Sequence, residues 1–144
     1  MSLWHRLPPV TADVGNGFVA TEAPAMQRAI AMALLNSEVK KLPLVVELQF
    51  SAGAGERVVV GCRNVYVGFV PVSHLADLRG QLLAAGKAPL RAPGMVYPDG
   101  KFRRVWVGAP PADGFPAVEA GYDELPEPTP AIFGIPINRL RRDR

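Results

Sequence analysis

Short runs of β-branched and aromatic residues, separated by turn-forming residues, occupy the middle of the chain. Over residues 45–50 apolar side chains alternate with polar ones, which predicts a strand with one buried face. The valine-rich runs 56–61 and 65–71 predict two further strands. Asn64 lies between them and tolerates the positive φ of a tight turn. The pattern therefore predicts a strand followed by a β-hairpin at the centre of the fold.

A different pattern precedes the first strand. Met26, Ile30 and Leu34 recur at helical spacing, which predicts a helix over residues 22–36 with Thr21 as its N-cap. This apolar stripe is expected to pack against the core, as it does in most surface helices.

A second helix is predicted over residues 73–85, directly after the central hairpin. Ser73 is expected to cap its first turn, and Gly86 to end it. Gly80 lies in the middle of this helix, where a glycine costs about 1 kcal/mol relative to alanine. A close approach between the helix and the sheet would explain that glycine.

The remaining strands are predicted at about 17–20, 88–97 and 102–108, the last two joined by the hairpin signal Asp99-Gly100. From residue 109 onward, seven prolines argue against regular structure. The sequence therefore predicts an α+β fold in three parts. These are an irregular lead-in over residues 1–16, a small SH3-like β-barrel of about five to six short strands with two helices over residues 17–108, and an irregular Pro-rich C-terminal tail over residues 109–144.

Charge is segregated along the chain, whose net charge is +3. Residues 1–108 carry a net charge of +5, residues 109–138 carry five acids and no Lys or Arg, and residues 139–144 carry a net charge of +3. A basic body, an acidic connector and a basic tip thus follow one another. Such asymmetry is more informative about partners than the total charge.

No constellation of residues indicates catalysis. Cys62 has no obvious base nearby, His5 and His74 are too few and too far apart for a metal site, and no phosphate-binding loop is present. We therefore expect a non-enzymatic protein without cofactor or metal. No apolar run approaches a membrane span of about 18 residues, and a lone cysteine fits a reducing cytoplasm, so a cytoplasmic location without membrane contact is predicted.

The central stretch resembles a known family. The runs Val58-Val59-Val60 and Val67-Gly68-Phe69-Val70-Pro71, followed directly by a helix from Ser73 to Leu83, resemble the HIRAN-like domains of standalone actinobacterial proteins. The resemblance covers about residues 17–108. Residues 51–56 stand where that family usually has an Asn-Pro-x-Asp-like segment. Because HIRAN domains fused to DNA remodellers bind free 3′ ends of single-stranded DNA, the resemblance implies a nucleic-acid-binding module for single strands or DNA ends.

Nucleic-acid binding requires cations for the phosphates and aromatic faces for unstacked bases. Such residues lie at the margins of the two predicted hairpins, where Phe102, Trp106 and Tyr97 could add aromatic rings. The candidate nucleic-acid-binding residues are Arg57, Arg63, Tyr66, Lys101, Arg103 and Arg104. In the alternative interpretation these charges only solvate the outside of the barrel, and Phe102 and Trp106 belong to its core.

The tail suggests a second function, that of a protein-interaction or assembly module. Residues 131–144 would dock on a protein partner or on a neighbouring subunit, through Ile132, Phe133, Ile135, Arg139, Arg141 and Arg142. The alternative is that the apolar tail residues pack back onto the domain. The acidic connector could also lie over the basic body and screen it from nucleic acid.

Overall fold

The computed structural model describes residues 7–126 and, as two further strands, residues 131–132 and 135–136. In this part of the chain a curled antiparallel sheet packs against helices, which confirms the α+β class. A 3₁₀ turn, Ala23–Met26, precedes the first α-helix. The other elements are, in chain order, β1 (Val10–Thr11), β2 (Phe18–Val19), α1 (Gln27–Ala33), α2 (Asn36–Val39), β3 (Leu44–Ala52), β4 (Val58–Cys62), β5 (Val65–Phe69), α3 (Val72–Ala85), β6 (Leu90–Asp99), β7 (Phe102–Val107), β8 (Ala131–Ile132) and β9 (Ile135–Pro136).

The main sheet has the strand order β2-β7-β6-β3-β4-β5, in which all neighbours are antiparallel. β1 adds a parallel pairing at the start of β6, where Val10 lies beside Leu90. Thr21, just after β2, pairs with Phe69 of β5 and donates an N–H···O bond of 2.8 Å to it. Because β2 and β5 are the two ends of the strand order, this pairing draws the ends together. The sheet therefore curls into a half-barrel.

Gly68 leaves room for this closure. A Cβ at this position would lie 2.9 Å from the Cβ of Ala20 and 3.0 Å from the carbonyl oxygen of Thr21. Since a larger residue would push the crossing chain away, the glycine of the Val67-Gly68-Phe69 run serves the fold.

The hydrophobic core lies on the inner face of the curled sheet, where Ile30 of α1 and Leu78 of α3 are fully buried. Alternate strand residues supply most of the rest: Val46, Leu48, Phe50, Val58, Val60, Leu90, Ala92, Val105 and Val107. The alternation predicted for residues 45–50 is confirmed, because the polar residues between the buried ones are exposed.

The helix predicted over residues 22–36 is broken in the structure. α1 covers only Gln27–Ala33, and Leu34 has extended backbone angles before α2 begins. The carbonyl oxygen of Ala33 accepts a hydrogen bond of 3.0 Å from the Arg63 guanidinium, and Leu34 is buried in the core. These contacts with distant parts of the chain end the helix earlier than its own residues would.

Thr21 is not the N-cap predicted for that helix. Its backbone pairs with β5, and the 3₁₀ turn begins after Glu22 without a side-chain cap hydrogen bond. Glu22 has a φ of 69°, a left-handed conformation that is uncommon for a residue with a side chain. The chain therefore changes direction at Glu22, where its pairing with the sheet ends.

The second helix agrees with its prediction at the C-terminal end, where Gly86 has a φ of 62°. The helix starts at Val72, however, and Ser73 is not its N-cap; the Ser73 hydroxyl lies 3.0 Å from the His74 ring instead. Gly80 is exposed and a Cβ there would meet nothing within 4 Å, so a close approach to the sheet does not explain this glycine. Among the helices described, none is long and apolar enough to cross a membrane.

The first half of the tail packs back onto the domain. Phe115, Val118 and Tyr122 lie against the second face of the sheet, on Trp106 and its neighbours. We call residues 113–125 the strap. Further on, Ile132 and Ile135 pair across the short β8–β9 hairpin. The other predicted docking residues, Phe133, Arg139, Arg141 and Arg142, lie outside the described residues.

Candidate functional site

The six predicted nucleic-acid-binding residues do not converge on one surface. Arg57 lies beside β5, with its guanidinium carbon 4.6 Å from the centre of the Phe69 ring. Such a cation–π contact contributes about 0.5–1 kcal/mol at an exposed site. Because the ring already covers one face of the guanidinium, we assign Arg57 to the packing of this edge.

Arg63 is held by contacts within the chain. Its guanidinium donates to both carboxylate oxygens of Glu38, at 2.6 and 2.9 Å, and to the carbonyl oxygen of Ala33. The hydrogen bond from Arg63 and one from the Leu35 N–H lower the pKa of Glu38 to about 2. Arg63 therefore ties the β4–β5 turn to α1 and α2, a role that its sequence neighbours do not indicate.

Tyr66 lies in a wide groove on the outer face of the sheet, here called the sheet-face groove, of about 1410 Å³. Its ring is exposed, and so are the neighbouring apolar side chains of Met32 and Val45. Arg91 also lines this groove and was not predicted as a site residue; it lies 3.3 Å from Glu47. Since Arg63 and Arg91 each face a glutamate, this groove holds little net positive charge.

Arg104, the sixth predicted nucleic-acid-binding residue, is buried in this structure. Its guanidinium donates to Asp99 at 2.6 Å and to both oxygens of Asp123, at 3.1 and 2.7 Å. Only 6% of the residue is exposed. Asp123 belongs to the strap, so the charge of Arg104 is neutralised by the acidic connector.

The aromatic residues of this face are equally covered. Tyr97 and Trp106 are 3% and 4% exposed, beneath Phe115 of the strap. The indole N–H of Trp106 donates to the carbonyl oxygen of Ala109 at 2.8 Å, whereas the Tyr97 hydroxyl has no hydrogen-bond partner. Both residues are therefore packed in this structure, as the alternative interpretation predicted for Trp106.

Tyr97 makes the folded protein sensitive to alkaline pH. Burial is the largest cause that raises the pKa of Tyr97, to about 12, from its ordinary value of 10. Because the folded pKa lies above the unfolded one, the stabilisation is complete below about pH 10 and is lost as the pH rises toward 12. We expect the free energy of unfolding to fall over that interval, and Tyr97→Phe to remove most of the fall. Urea unfolding of the wild type, Tyr97→Phe and the exposed-site control Tyr66→Phe measures this effect; an equal fall in Tyr97→Phe would contradict it.

Lys101 and Arg103 are brought together in a second groove at the end of the β6–β7 hairpin. This groove, of about 430 Å³ and here called the basic groove, is also lined by Lys40 and by the ring of Phe102. Of the described residues that line it, none is Asp or Glu. Three basic residues and one aromatic residue therefore line the same groove.

Gln27 of α1 fixes the wall of the basic groove. Its side-chain amide donates to the carbonyl oxygen of Arg103 at 2.8 Å and accepts from the Arg103 N–H at 2.9 Å. This pair of hydrogen bonds attaches α1 to the backbone of β7 and so fixes the position of the Arg103 Cα beside the groove. Sequence reasoning selected Lys101 and Arg103 but not Lys40, although the adjacent pair Lys40-Lys41 is a visible signal.

Other chemistry finds no support in the described part of the chain. There, no group of three or more His, Cys, Asp or Glu side chains is placed to hold a metal ion. Burial raises the pKa of the Cys62 thiol, which disfavours the thiolate needed for nucleophilic attack.

No protein-family model matches this sequence, and no curated protein or solved structure matches it either. A function is therefore inferred from the geometry and charge of the two grooves.

Proposed function

We propose that this chain is a non-enzymatic, HIRAN-like module with an SH3-like barrel that binds single-stranded nucleic acid, as single-stranded DNA or DNA ends. The observation that supports this function best is the basic groove, which is lined by Lys40, Arg103 and Phe102. Cations release counterions when they neutralise phosphates, and this term dominates the affinity for nucleic acid.

The ring in the basic groove favours a single strand over a duplex. An unstacked base can lie on an aromatic face, and this contact contributes about 1–3 kcal/mol per base. In a duplex the bases are already stacked and their faces are covered. α1 borders both grooves, with Gln27 at the basic groove and Met32 at the sheet-face groove, so the exposed ring of Tyr66 offers a second stacking surface.

A charge-reversal variant tests this function. We expect Lys40→Glu/Arg103→Glu to weaken binding of a short single-stranded DNA at least tenfold at low salt, because two phosphate contacts are lost. Each lost contact should also lower the slope of log affinity against log salt concentration by about 1. Fluorescence anisotropy over a range of salt concentrations measures both quantities. The control Arg79→Glu/Lys87→Glu makes the same change in net charge at exposed positions on and after α3. An equal effect of the two doubles, or no binding by the wild type, would refute the basic groove as the site.

The second candidate is a protein-interaction module, with docking through the tail residues 131–144 or through the sheet-face groove. Three exposed apolar side chains, Met32, Val45 and Tyr66, line that groove, and clustered exposed apolar residues mark interaction surfaces. Sedimentation of the full chain over a range of concentrations, with and without short single-stranded DNA, separates the candidates. Self-association without DNA binding would favour the second.

A further inference from the structure

The strap covers its face of the sheet in a way that resembles a bound ligand. The ring of Phe115 stacks on the Tyr97 ring, with centroids 3.8 Å apart and planes inclined by 8°. It also meets the Trp106 ring edge-on at 6.1 Å. A nucleobase stacks on an exposed aromatic side chain in the same parallel arrangement.

The contact between Asp123 and Arg104 also resembles that of a bound ligand. Its two carboxylate oxygens lie 3.1 and 2.7 Å from the two terminal nitrogens of the guanidinium. Carboxylates and phosphates both accept this bidentate fork, which is why arginine serves both in ion pairs and in nucleic-acid recognition. The strap thus supplies one ring and one bidentate anion to the same face.

The Tyr97 hydroxyl shows that the strap fits this face imperfectly. The hydroxyl is buried beneath the strap and has no hydrogen-bond partner. Buried polar groups normally have a partner, because burying an unpaired one costs free energy. That cost is recovered when the strap leaves, so it lowers the free energy needed to open this face.

The covered face borders the basic groove. Phe102 lines that groove, and the centre of its ring lies 5.0 Å from the Lys101 ammonium and 5.9 Å from the Arg104 guanidinium. Arg103 and Arg104 lie next to each other on β7, Arg103 in the groove and Arg104 under the strap. A single-stranded nucleic acid bound in the basic groove therefore lies close to the covered face.

We propose that Tyr97, Trp106 and Arg104 form a second, latent site for single-stranded nucleic acid, and that the strap occupies it as an internal pseudo-ligand. Phe115 takes the place of a base and Asp123 that of a phosphate. This inference rests on the proposed function for its ligand class. Nucleic acid displaces the strap only if its own contacts with this face are more favourable in free energy than those of the strap. The strap therefore lowers the affinity of this site for nucleic acid.

Variants of the strap in the 144-residue chain test this site, in a Trp4→Phe background that leaves Trp106 as the one tryptophan of this sequence. We expect Asp123→Asn to tighten binding of oligo-dT about three- to tenfold, and Phe115→Ala/Asp123→Asn to tighten it further. Asp113→Asn removes the same charge from an exposed strap position and should change the affinity less than twofold. Oligo-dT should quench Trp106 fluorescence at lower concentrations in the opened variants than in the background protein.

The outcomes separate this inference from the proposed function. If Lys40→Glu/Arg103→Glu abolishes binding but Asp123→Asn neither tightens it nor allows Trp106 quenching, the latent site is refuted and the basic groove stands. If only the opened variants bind, with quenching, the latent site stands and the basic groove fails. If no variant binds, both fail.

A measurement on the unmodified strap covers the case in which the opened variants do not fold. The Leu125 N–H donates to Glu22 at 2.7 Å, and this bond holds the end of the strap. If oligo-dT displaces the strap, saturating DNA speeds hydrogen exchange of the Leu125 amide; unchanged or slower exchange would overturn the proposal.

Discussion

Gly94→Ala is expected to lower the free energy of unfolding by about 3 kcal/mol, the upper range for overpacking a core. A Cβ at Gly94 would overlap the Cδ1 atom of Leu48 and the carbonyl oxygen of Trp106. Leu48 is fully buried, and the Trp106 carbonyl belongs to the backbone of a paired strand, so neither can move away at low cost. Urea unfolding of the purified variant measures the loss.

Gly80→Ala is the matched control for this substitution. The same methyl group is added in α3, where it would meet nothing within 4 Å. Alanine also favours a helix more than glycine, so the control is expected to raise the free energy of unfolding by about 1 kcal/mol. A Gly94→Ala midpoint equal to that of the wild type would show that the sheet tolerates the added methyl group.

Arg104→Met is expected to lower the free energy of unfolding by about 3 kcal/mol. Removal of one member of a buried ion pair costs about 3–5 kcal/mol, because the other member is left without its partner. Here Asp99 and Asp123 would both lose their cation, but the Asp99 side chain is half exposed and is partly solvated, which places the effect at the lower end. Urea unfolding in the Trp4→Phe background, followed by Trp106 fluorescence, reports both stability and release of the strap.

Arg91→Met provides the comparison for a pair at the surface. Its partner Glu47 lies 3.3 Å away and is largely exposed, so the loss should be under about 1 kcal/mol. Equal effects of the two arginine substitutions would mean that the strap is not held by the Arg104 ion pairs.

The strands and α3 could be predicted from sequence because their signals are local. Alternation over residues 45–50 and the Asp99-Gly100 turn act within a few residues, and the structure places β3 and the β6–β7 hairpin there. The broken first helix could not be predicted in this way. Its end depends on Arg63, which lies 30 residues after the Ala33 carbonyl that it binds.

The candidate site was only partly accessible from sequence for the same reason. Lys101 and Arg103 share one predicted hairpin, so their proximity followed from a local turn. Lys40 joins them only through pairing of β3 with β6, a contact between distant segments. Arg63 and Arg104 carry the residue type of a binding site, but their partners Glu38 and Asp123 lie 25 and 19 residues away.

Residue type and short-range pattern were thus enough for the position of most strands, for α3 and for the division into a basic body and an acidic connector. Backbone propensity, turn geometry and charge sign are properties of neighbouring residues. Folding alone decided which charges remain available to a ligand, because an ion pair or a covering strap requires two distant segments to meet. Lys40 and Arg103 line the basic groove at the end of the β6–β7 hairpin, whereas the face of Tyr97 and Arg104 is covered by Phe115 and Asp123.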